Sequence, residues 1–404
     1  MTMNYTAEEI IQYCTEEDVK FVRLAFCDAY GVQKNISIMP GELRRAFEQG
    51  IGFDASAVRG FANEAQSDLL LFPDPDTLSV LPWRPEHGRV VRMFCSIKKP
   101  NGKAFECDTR SLLAAAVEEA KAEGLEFMFG SELEFYLFKL DEHDNPTAIP
   151  YDRAGYMDIA PDDKGENIRR QICLTLEQMG IVPESSHHEE GPGQNEIDFH
   201  YSGALQAADD AMAFKTVVKT VAHANGLYAD FSPKPLADKP GNGYHINLSV
   251  KDDKNHIKLP SVIAGILEQI APMTVFLNPS ELSYKRFGRN KAPKFISWSS
   301  ENRSQLVRIP AASGEYRRAE LRSPDPLANP YLAFTLLIHA GLYGYKNGLY
   351  LPPMSDVNLF SADEETTSKF EKLPSTFEEA KARAKTSSFI KEHLPERIID
   401  IYCE

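Results

Sequence analysis

The 404 residues suffice for two domains and a large core, and 43% hydrophobic with 25% charged residues excludes a disordered or fibrous chain. A net charge of −15 disfavours nucleic acid or an anionic membrane as the main partner, so an anionic substrate must meet a local basic cluster. The start, MTMNYTAEEIIQYCTEEDVK, carries acids where a signal peptide needs basic residues, and the best apolar run, residues 332–341, is too short to span a membrane. Six cysteines lie far apart without a CxxC pair, so the expectation is a cytoplasmic protein with reduced thiols that binds neither nucleic acid nor membrane.

In chain order, residues 20–27 and 33–38 flank the turn-forming DAYG and predict a hairpin. A helix over 40–49 stops at Gly50, and the polar turn GFDASA at 52–57 precedes a loop-rich stretch over 69–82. A boundary at PNGK, 100–103, predicts a small domain over 1–103 and a larger one over 104–404. The second opens with a helix over 109–122, capped by Asp108 and stopped by Gly124. Helical patterns follow over 165–179, 205–224, 261–272 and 330–343, with an amphipathic tail helix over 375–394.

Four strand-like segments are interleaved with these helices: FGSELEFYLF at 129–138, QNEIDF at 194–199, GYHINLSV at 243–250 and RAELR at 318–322. Strand side chains alternate between two faces, so Glu132 with Glu134, His245 with Asn247 and Ser249, and Arg318 with Glu320 and Arg322 share faces. Leu133, Ile246, Leu248 and Leu321 then point into a core. If the strands are neighbours, Glu132, Glu134, Glu196, Glu320 and His245 line one concave surface, where crowded carboxylates need cations to neutralise them. His187, His188 and Glu189 add ligand types; paired histidines suit zinc, whereas a carboxylate-dominated site with one imidazole suits Mg²⁺ or Mn²⁺ better. Arg286, Arg303, Arg308, Arg318 and Arg322 supply guanidinium forks for carboxylate or phosphate. There is no GxxxxGK[ST] loop, so any nucleotide must be held by metals and arginines.

The segments SHHEEGPGQNEIDF, SPKPLADKPGNGYH, SYKR, SWSSENRSQLVRIP and RAELRSPDPLANPYLAF, in this order, strongly resemble type I glutamine synthetase, as do FDAS and GYMDIAPDDKGENIRRQICLTLEQMG. The likeness covers the chain up to about residue 350, and the tail looks shorter than usual. The resemblance implies an α+β protein: an N-terminal β-grasp domain and a catalytic domain whose curved antiparallel sheet, flanked by helices, holds ATP and metals. It also implies a homo-dodecamer of two hexameric rings with active sites shared between neighbouring subunits. Carried over by motif, Glu134, Glu189 and Glu196 would hold one Mg²⁺ or Mn²⁺, and Glu132, His245 and Glu320 the other. Glutamate would meet Gly241, Arg286, Arg303 and Arg322, with Arg303 also catalytic; the ATP phosphates would meet Arg308, Arg318 and Ser249, with Asn247 nearby. Asp54 of a neighbouring subunit, Tyr156 and Glu189 would form the ammonium pocket. The implied reaction joins ammonium or another amine to the γ-carboxylate of L-glutamate through γ-glutamyl phosphate.

The chain departs from the pattern at the acceptor end. The family's flexible loop carries a glutamate, before Ala-Pro, that helps deprotonate ammonium; here the loop reads YKRFGRNKAP, one residue shorter, with Lys291 in that place. A protonated lysine cannot accept a proton. Ala57 replaces a serine, Pro240 an asparagine and Asn247 a histidine, and Glu315 aligns with a nucleotide-contacting lysine. Phe360 stands where some relatives are adenylylated on tyrosine, and Asn63 where another branch has a feedback arginine, so both controls are expected to be lost. Two alternatives to glutamine formation follow: a larger or acidic amine as acceptor, or a non-catalytic oligomer that keeps its metals and nucleotide.

Overall fold

The computed structural model describes residues 5–61, 67–84, 87–252, 258–310 and 318–404, so Asn63 and Glu315 fall outside the described residues. It divides into two compact units, the residues up to Leu112 with Leu174–Ile181, and Leu113–Cys173 with Val182–Glu404.

In the first unit, helix α1 (Ala7–Glu16) opens with a capping box between Thr6 and Glu9, each accepting the other's backbone N–H. Strands β1 (Val19–Cys27), β2 (Gln33–Ile38), β3 (Ile51–Asp54), β4 (Asp68–Pro73), β5 (Ser79–Val80) and β6 (Arg89–Lys98) form one sheet, ordered β2-β1-β6-β4-β3 with β5 on β6. β1 and β2 make the expected hairpin, Phe26 opposite Lys34, and β1 runs parallel to β6. The helix expected over 40–49 is a 3₁₀ turn, Pro40–Glu42, followed by α2 (Leu43–Gln49), which ends at Gly50 with φ 76°. Asp54 closes β3 and caps the turn Ala55–Ala57, its Oδ1 accepting from the Ser56 amide at 2.9 Å.

The second unit is built on one long strand, β7 (Leu125–Leu140). With β8 (Pro146–Pro150), β9 (Pro183–His188), β10 (Gln194–Phe199), β11 (Ser202–Gly203), β12 (Leu227–Asp230), β13 (Tyr244–Asp252), β14 (Trp298–Ser299), β15 (Val307–Arg308) and β16 (Ala319–Leu321) it forms a ten-stranded sheet. The order is β14-β15-β16-β13-β7-β10-β9, and β8, β11 and β12 also pair with β7. Pairing is antiparallel except between β14 and β15, which makes the sheet mixed. Leu133, Phe135, Ile246, Leu248 and Leu321 are all buried, as alternation requires of the core face.

Helices α3 (Thr109–Ala122), α4 (Glu166–Gln178), α5 (Ala204–Ala224), α6 (Leu259–Leu277) and α7 (Pro330–Lys346) match the helical patterns, with α6 extending five residues beyond the expected 272. The sequence reading that no apolar stretch reaches a membrane span is corrected here. α6 is long and apolar enough by length and composition, but 72% of that window is buried inside the fold. It packs on α7 as a core helix; Pro260 and Pro272 had interrupted the run. The Phe129 ring of β7 stacks on Phe334 of α7 at 4.1 Å. A short helix α8 (Glu364–Thr367) follows. The single tail helix expected over 375–394 is instead α9 (Phe377–Thr386) and α10 (Ser388–His393), because Ser387 leaves helical geometry and its side chain caps the Ile390 amide. A further amphipathic helix, α11 (Glu396–Cys403), begins after Pro395.

Candidate active site

Register places the chemistry on the face opposite the core. Glu132 of β7 lies between His245 of β13 and Asp198 of β10, and the next row sets Glu134 of β7 beside Glu196 of β10 and His187 of β9. On the other side, Glu320 of β16 lies between Asn247 of β13 and Arg308 of β15. A strand places one side chain on this face every second residue, so six short stretches suffice to assemble the wall.

The wall encloses a cavity of about 440 Å³, lined among others by Glu132, Glu134, Glu189, Glu196 and His245. Tyr156, Gly241, Arg286, Arg303, Arg308, Arg318 and Arg322 share the lining. A second cavity of about 160 Å³ holds Asn247 and Ser249 and shares Glu132, Asp198 and Arg318 with the first. Asp54 belongs to the first unit.

Among the described residues, donor atoms converge in two overlapping clusters at the cavity, Glu132 with Glu196 and His245, and His187 with Glu189 and Glu196, and in a third, buried one of Asp152, Asp163 and His188. His245 Nδ1 is 3.3 Å from Glu132 Oε2 and 3.7 Å from Glu320 Oε1, and its Nε2 is 4.0 Å from Glu134 Oε1. His187 Nε2 is 3.2 Å from Glu189 Oε1 and 3.9 Å from Glu196 Oε2. The crowding has an electrostatic cost. Burial, then the charges of Glu134, Asp198, Glu132 and Glu189, push the Glu196 carboxyl well above the usual range, and burial raises Glu134 too. Burial and Glu132 push Asp198 up to about 6. Burial would also raise Glu132, but hydrogen bonds from His245 and Asn247 and the charges of His245 and Arg322 bring it down to about 2. Carboxylates that are buried, clustered and only partly compensated, with imidazole nitrogens beside them, fit divalent cations of the hard, oxygen-preferring kind.

Arginines hold the rest of the wall. Arg308 donates to Glu320 Oε2 at 2.7 Å, and Arg322 donates to Glu320 Oε1 from a fully buried position. Asn247 donates to Glu132 Oε1 at 2.7 Å and accepts from Arg318 Nε at 3.1 Å, so it couples the acids to a cation. Arg286, buried, donates to the Ser323 carbonyl at 3.1 Å beside Asp325. At Gly241 a Cβ would lie 2.3 Å from the Pro233 carbonyl oxygen and 2.8 Å from Arg286 Cγ, so only glycine lets the chain pass there. Gln194 and the Gly243 amide each donate to Glu134 Oε2 at 2.9 Å, fixing its orientation.

The paired histidines separate. β9 is extended, so His187 faces the cavity while His188 is buried on the other side. His188 Nε2 lies 2.9 Å from Asp152 Oδ1, and its Nδ1 lies 2.6 Å from the Glu189 carbonyl. Both partners are acceptors, so both ring nitrogens donate, and although burial opposes the charge these bonds raise the pKa. Asp163 is paired in turn with Arg169, which also donates to Asn195 at 2.6 Å. This network anchors the backbone of Glu189 and, through the Met157 amide donating to the His188 carbonyl at 3.0 Å, the segment of Tyr156. Sequence reading missed Asp152, Asp163 and Arg169, which come from irregular segments and α4. It also missed the Lys234 and Arg289 lining, which comes from loops without periodicity.

Residues 18–100 match the glutamine synthetase beta-Grasp domain and residues 106–404 the glutamine synthetase catalytic domain. Glutamine synthetase of Clostridium saccharobutylicum is 41% identical, over 98% of this chain and 93% of that protein; the Methanosarcina mazei enzyme is 42% identical, over 98% and 92%. The chain belongs to the glutamine synthetase family. The fold class expected from the resemblance, a β-grasp unit followed by a helix-flanked catalytic sheet, is borne out, and the likeness extends beyond residue 350 into the tail helices. Among solved structures, a GmaS/ADP complex superposes with a TM-score of 0.88 at 27% identity, covering 100% of this chain and 94% of that one. The Plasmodium falciparum glutamine synthetase shares the fold, at 21% identity and a TM-score of 0.86, over 100% and 95% of the two chains.

Proposed function

We propose that this chain ligates ammonium to the γ-carboxylate of L-glutamate with ATP, through γ-glutamyl phosphate, releasing glutamine, ADP and phosphate. One observation carries the reading: a cavity of a glutamine synthetase family member gathers Glu132, Glu134, Glu189, Glu196 and His245 together with Arg286, Arg303, Arg308, Arg318 and Arg322. In this reading Glu134, Glu189 and Glu196 hold one Mg²⁺ or Mn²⁺, and Glu132, His245 and Glu320 the other. Bound there, the cations supply charge neutralisation for the transferring phosphoryl group.

The protein's own groups do the remaining work. Arg308 and Arg318, with Asn247 and Ser249, take the nucleotide phosphates; Gly241, Arg286, Arg303 and Arg322 hold glutamate so that its side-chain carboxylate faces the γ-phosphate. Arg303 also offsets charge on the acyl phosphate as ammonia attacks. Asp54 of a neighbouring subunit, Tyr156 and Glu189 bind ammonium, and the carboxylates accept its proton. This arrangement entails a homo-oligomer, which we take to be a dodecamer of two rings. The six unbridged cysteines accord with a cytoplasmic setting.

The test is phosphate release by the purified protein with ATP, glutamate and Mg²⁺ or Mn²⁺. Ammonium-dependent release with glutamine identified by mass is the expected result. Release that glutamate does not stimulate under any acceptor would overturn the reading.

A further inference from the structure

The cavity contains cations that the proposed ligation leaves unassigned. The loop carrying them is a closed turn: the Gly288 amide donates to the Ala292 carbonyl, and the Ala292 amide to the Arg289 carbonyl, each at 2.9 Å. Asn290 and Lys291 take left-handed φ values of 46° and 65°. For residues other than glycine this conformation is costly and needs contacts to hold it. Lys291 makes them. Its Nζ lies 2.5 Å from Glu190 Oε1 and 4.9 Å from the centre of the Tyr156 ring. The Glu190 amide donates to Glu189 Oε2 at 2.9 Å, and the Tyr156 ring meets His187 edge-on at 5.4 Å. A primary ammonium is therefore fixed at the wall to which the acceptor is assigned.

Two further cations line the cavity beside it. Arg289 lines the same cavity without a carboxylate within 4 Å among the described residues, and Lys234 donates to the Lys239 carbonyl instead of an acid. Glu190 is the one acid paired with this cationic lip among the described residues. A bare ammonium ion gains nothing from such a lip, whereas a zwitterion does. Its carboxylate can take Lys291 while its own ammonium takes Glu190, so one ion pair becomes two. The pair is about half-exposed, with side chains 46% and 36% accessible, and solvent screens such pairs, so parting it costs little.

Resting on the ligase reading, we propose that the cavity accepts, besides ammonium, a primary amine that carries a carboxylate, an α- or ω-amino acid, with Lys291 as the specificity-determining residue. The substrate's ammonium loses one proton to solvent. Its nitrogen then bonds to Cδ of γ-glutamyl phosphate, the C–O bond to phosphate breaks, phosphate leaves with that electron pair, and the nitrogen's extra proton passes to solvent. The product is a γ-glutamyl amino acid.

The experiment offers glycine, glycinamide, β-alanine and ammonium to the full-length protein with ATP, Mg²⁺ and glutamate, reading phosphate release and product mass. Glycine or β-alanine is expected to exceed glycinamide in kcat/KM by about tenfold, the scale of one charge-assisted hydrogen bond. Lys291→Gln is expected to abolish that preference and Lys291→Arg to retain it. If glutamine forms but glycine and glycinamide react alike, or if the preference survives in Lys291→Gln, the acceptor assignment falls and the ligase reading stands. If glutamate stimulates no phosphate release with any acceptor, both fall.

Discussion

At the residue scale, the cost of the site concentrates at Glu196. Its carboxyl is buried, faces Glu134 across the strand pair and is raised well above the usual carboxylate range by burial and by four neighbouring acids. A carboxyl whose folded pKa is raised binds more protons folded than unfolded, so without cations this group destabilises the fold increasingly as pH rises from the usual carboxylate range through the folded value. Glu196→Gln keeps the shape and removes the charge. The expected outcome is a higher melting temperature than wild type without divalent cations, by a margin larger at pH 8 than at pH 5, together with a smaller gain when Mn²⁺ is added. Glutamine formation should fall about a hundredfold or more, since loss of an outer-shell partner alone can cost that much. Thermal melts with and without Mn²⁺ at the two pH values decide it; a variant less stable than wild type without cations would contradict the crowding argument. Glu132, Glu134, Glu196, His245 and Glu320 could be placed from sequence because strand alternation is a local rule. The network of Asp152, Asp163, Arg169 and His188 could not, because it joins an irregular loop, a helix and a strand whose proximity is set only by the tertiary fold.

At the element scale, α6 and α7 pack with their backbones in close approach. A Cβ on Gly265 would sit 2.2 Å from the Ala340 carbonyl oxygen and 2.6 Å from the Gly344 nitrogen, and one on Gly344 would sit 2.1 Å from the Ser261 carbonyl oxygen. These glycines serve backbone approach, not a left-handed turn, and the atoms they face are main chain that cannot swing aside. Gly265→Ala should therefore destabilise by about 2–3 kcal/mol despite alanine's better helix propensity. Urea denaturation measures it; a stabilised variant would mean the helices can separate without loss. This packing was invisible in sequence, where Gly265 reads only as a weak point in a helix. Boundaries were more legible where a local signal existed. Gly50 ended α2 as expected, and the tail break was written in Ser387 and Pro395, a capping residue and a helix-starting proline that a continuous amphipathic pattern had masked.

For the whole molecule, Asp54 and the proposed metal-binding wall belong to different compact units of the chain. In the proposed oligomer the acceptor pocket takes its Asp54 from a neighbouring subunit, and that assignment has a consequence no single-subunit site shares. Asp54→Ala spoils the contribution a subunit makes to its neighbour, whereas Glu320→Gln spoils the site a subunit builds for itself, where Glu320 is buried beneath Arg308 and Arg322. Homo-oligomers of either variant should be nearly inactive. Co-expressed in equal amounts with different tags and purified through both, they should regain activity, because some interfaces pair an intact wall from the Asp54→Ala subunit with an intact Asp54 from the Glu320→Gln subunit. Random assembly in a closed ring gives that pairing at about one interface in four, so about a quarter of wild-type turnover is expected. If Asp54 served only its own subunit, each subunit of the hybrid would carry one lesion in its own site and mixing would restore nothing. Glutamine formation by the doubly tagged hybrid, compared with each variant alone, therefore tells a shared site from a self-contained one.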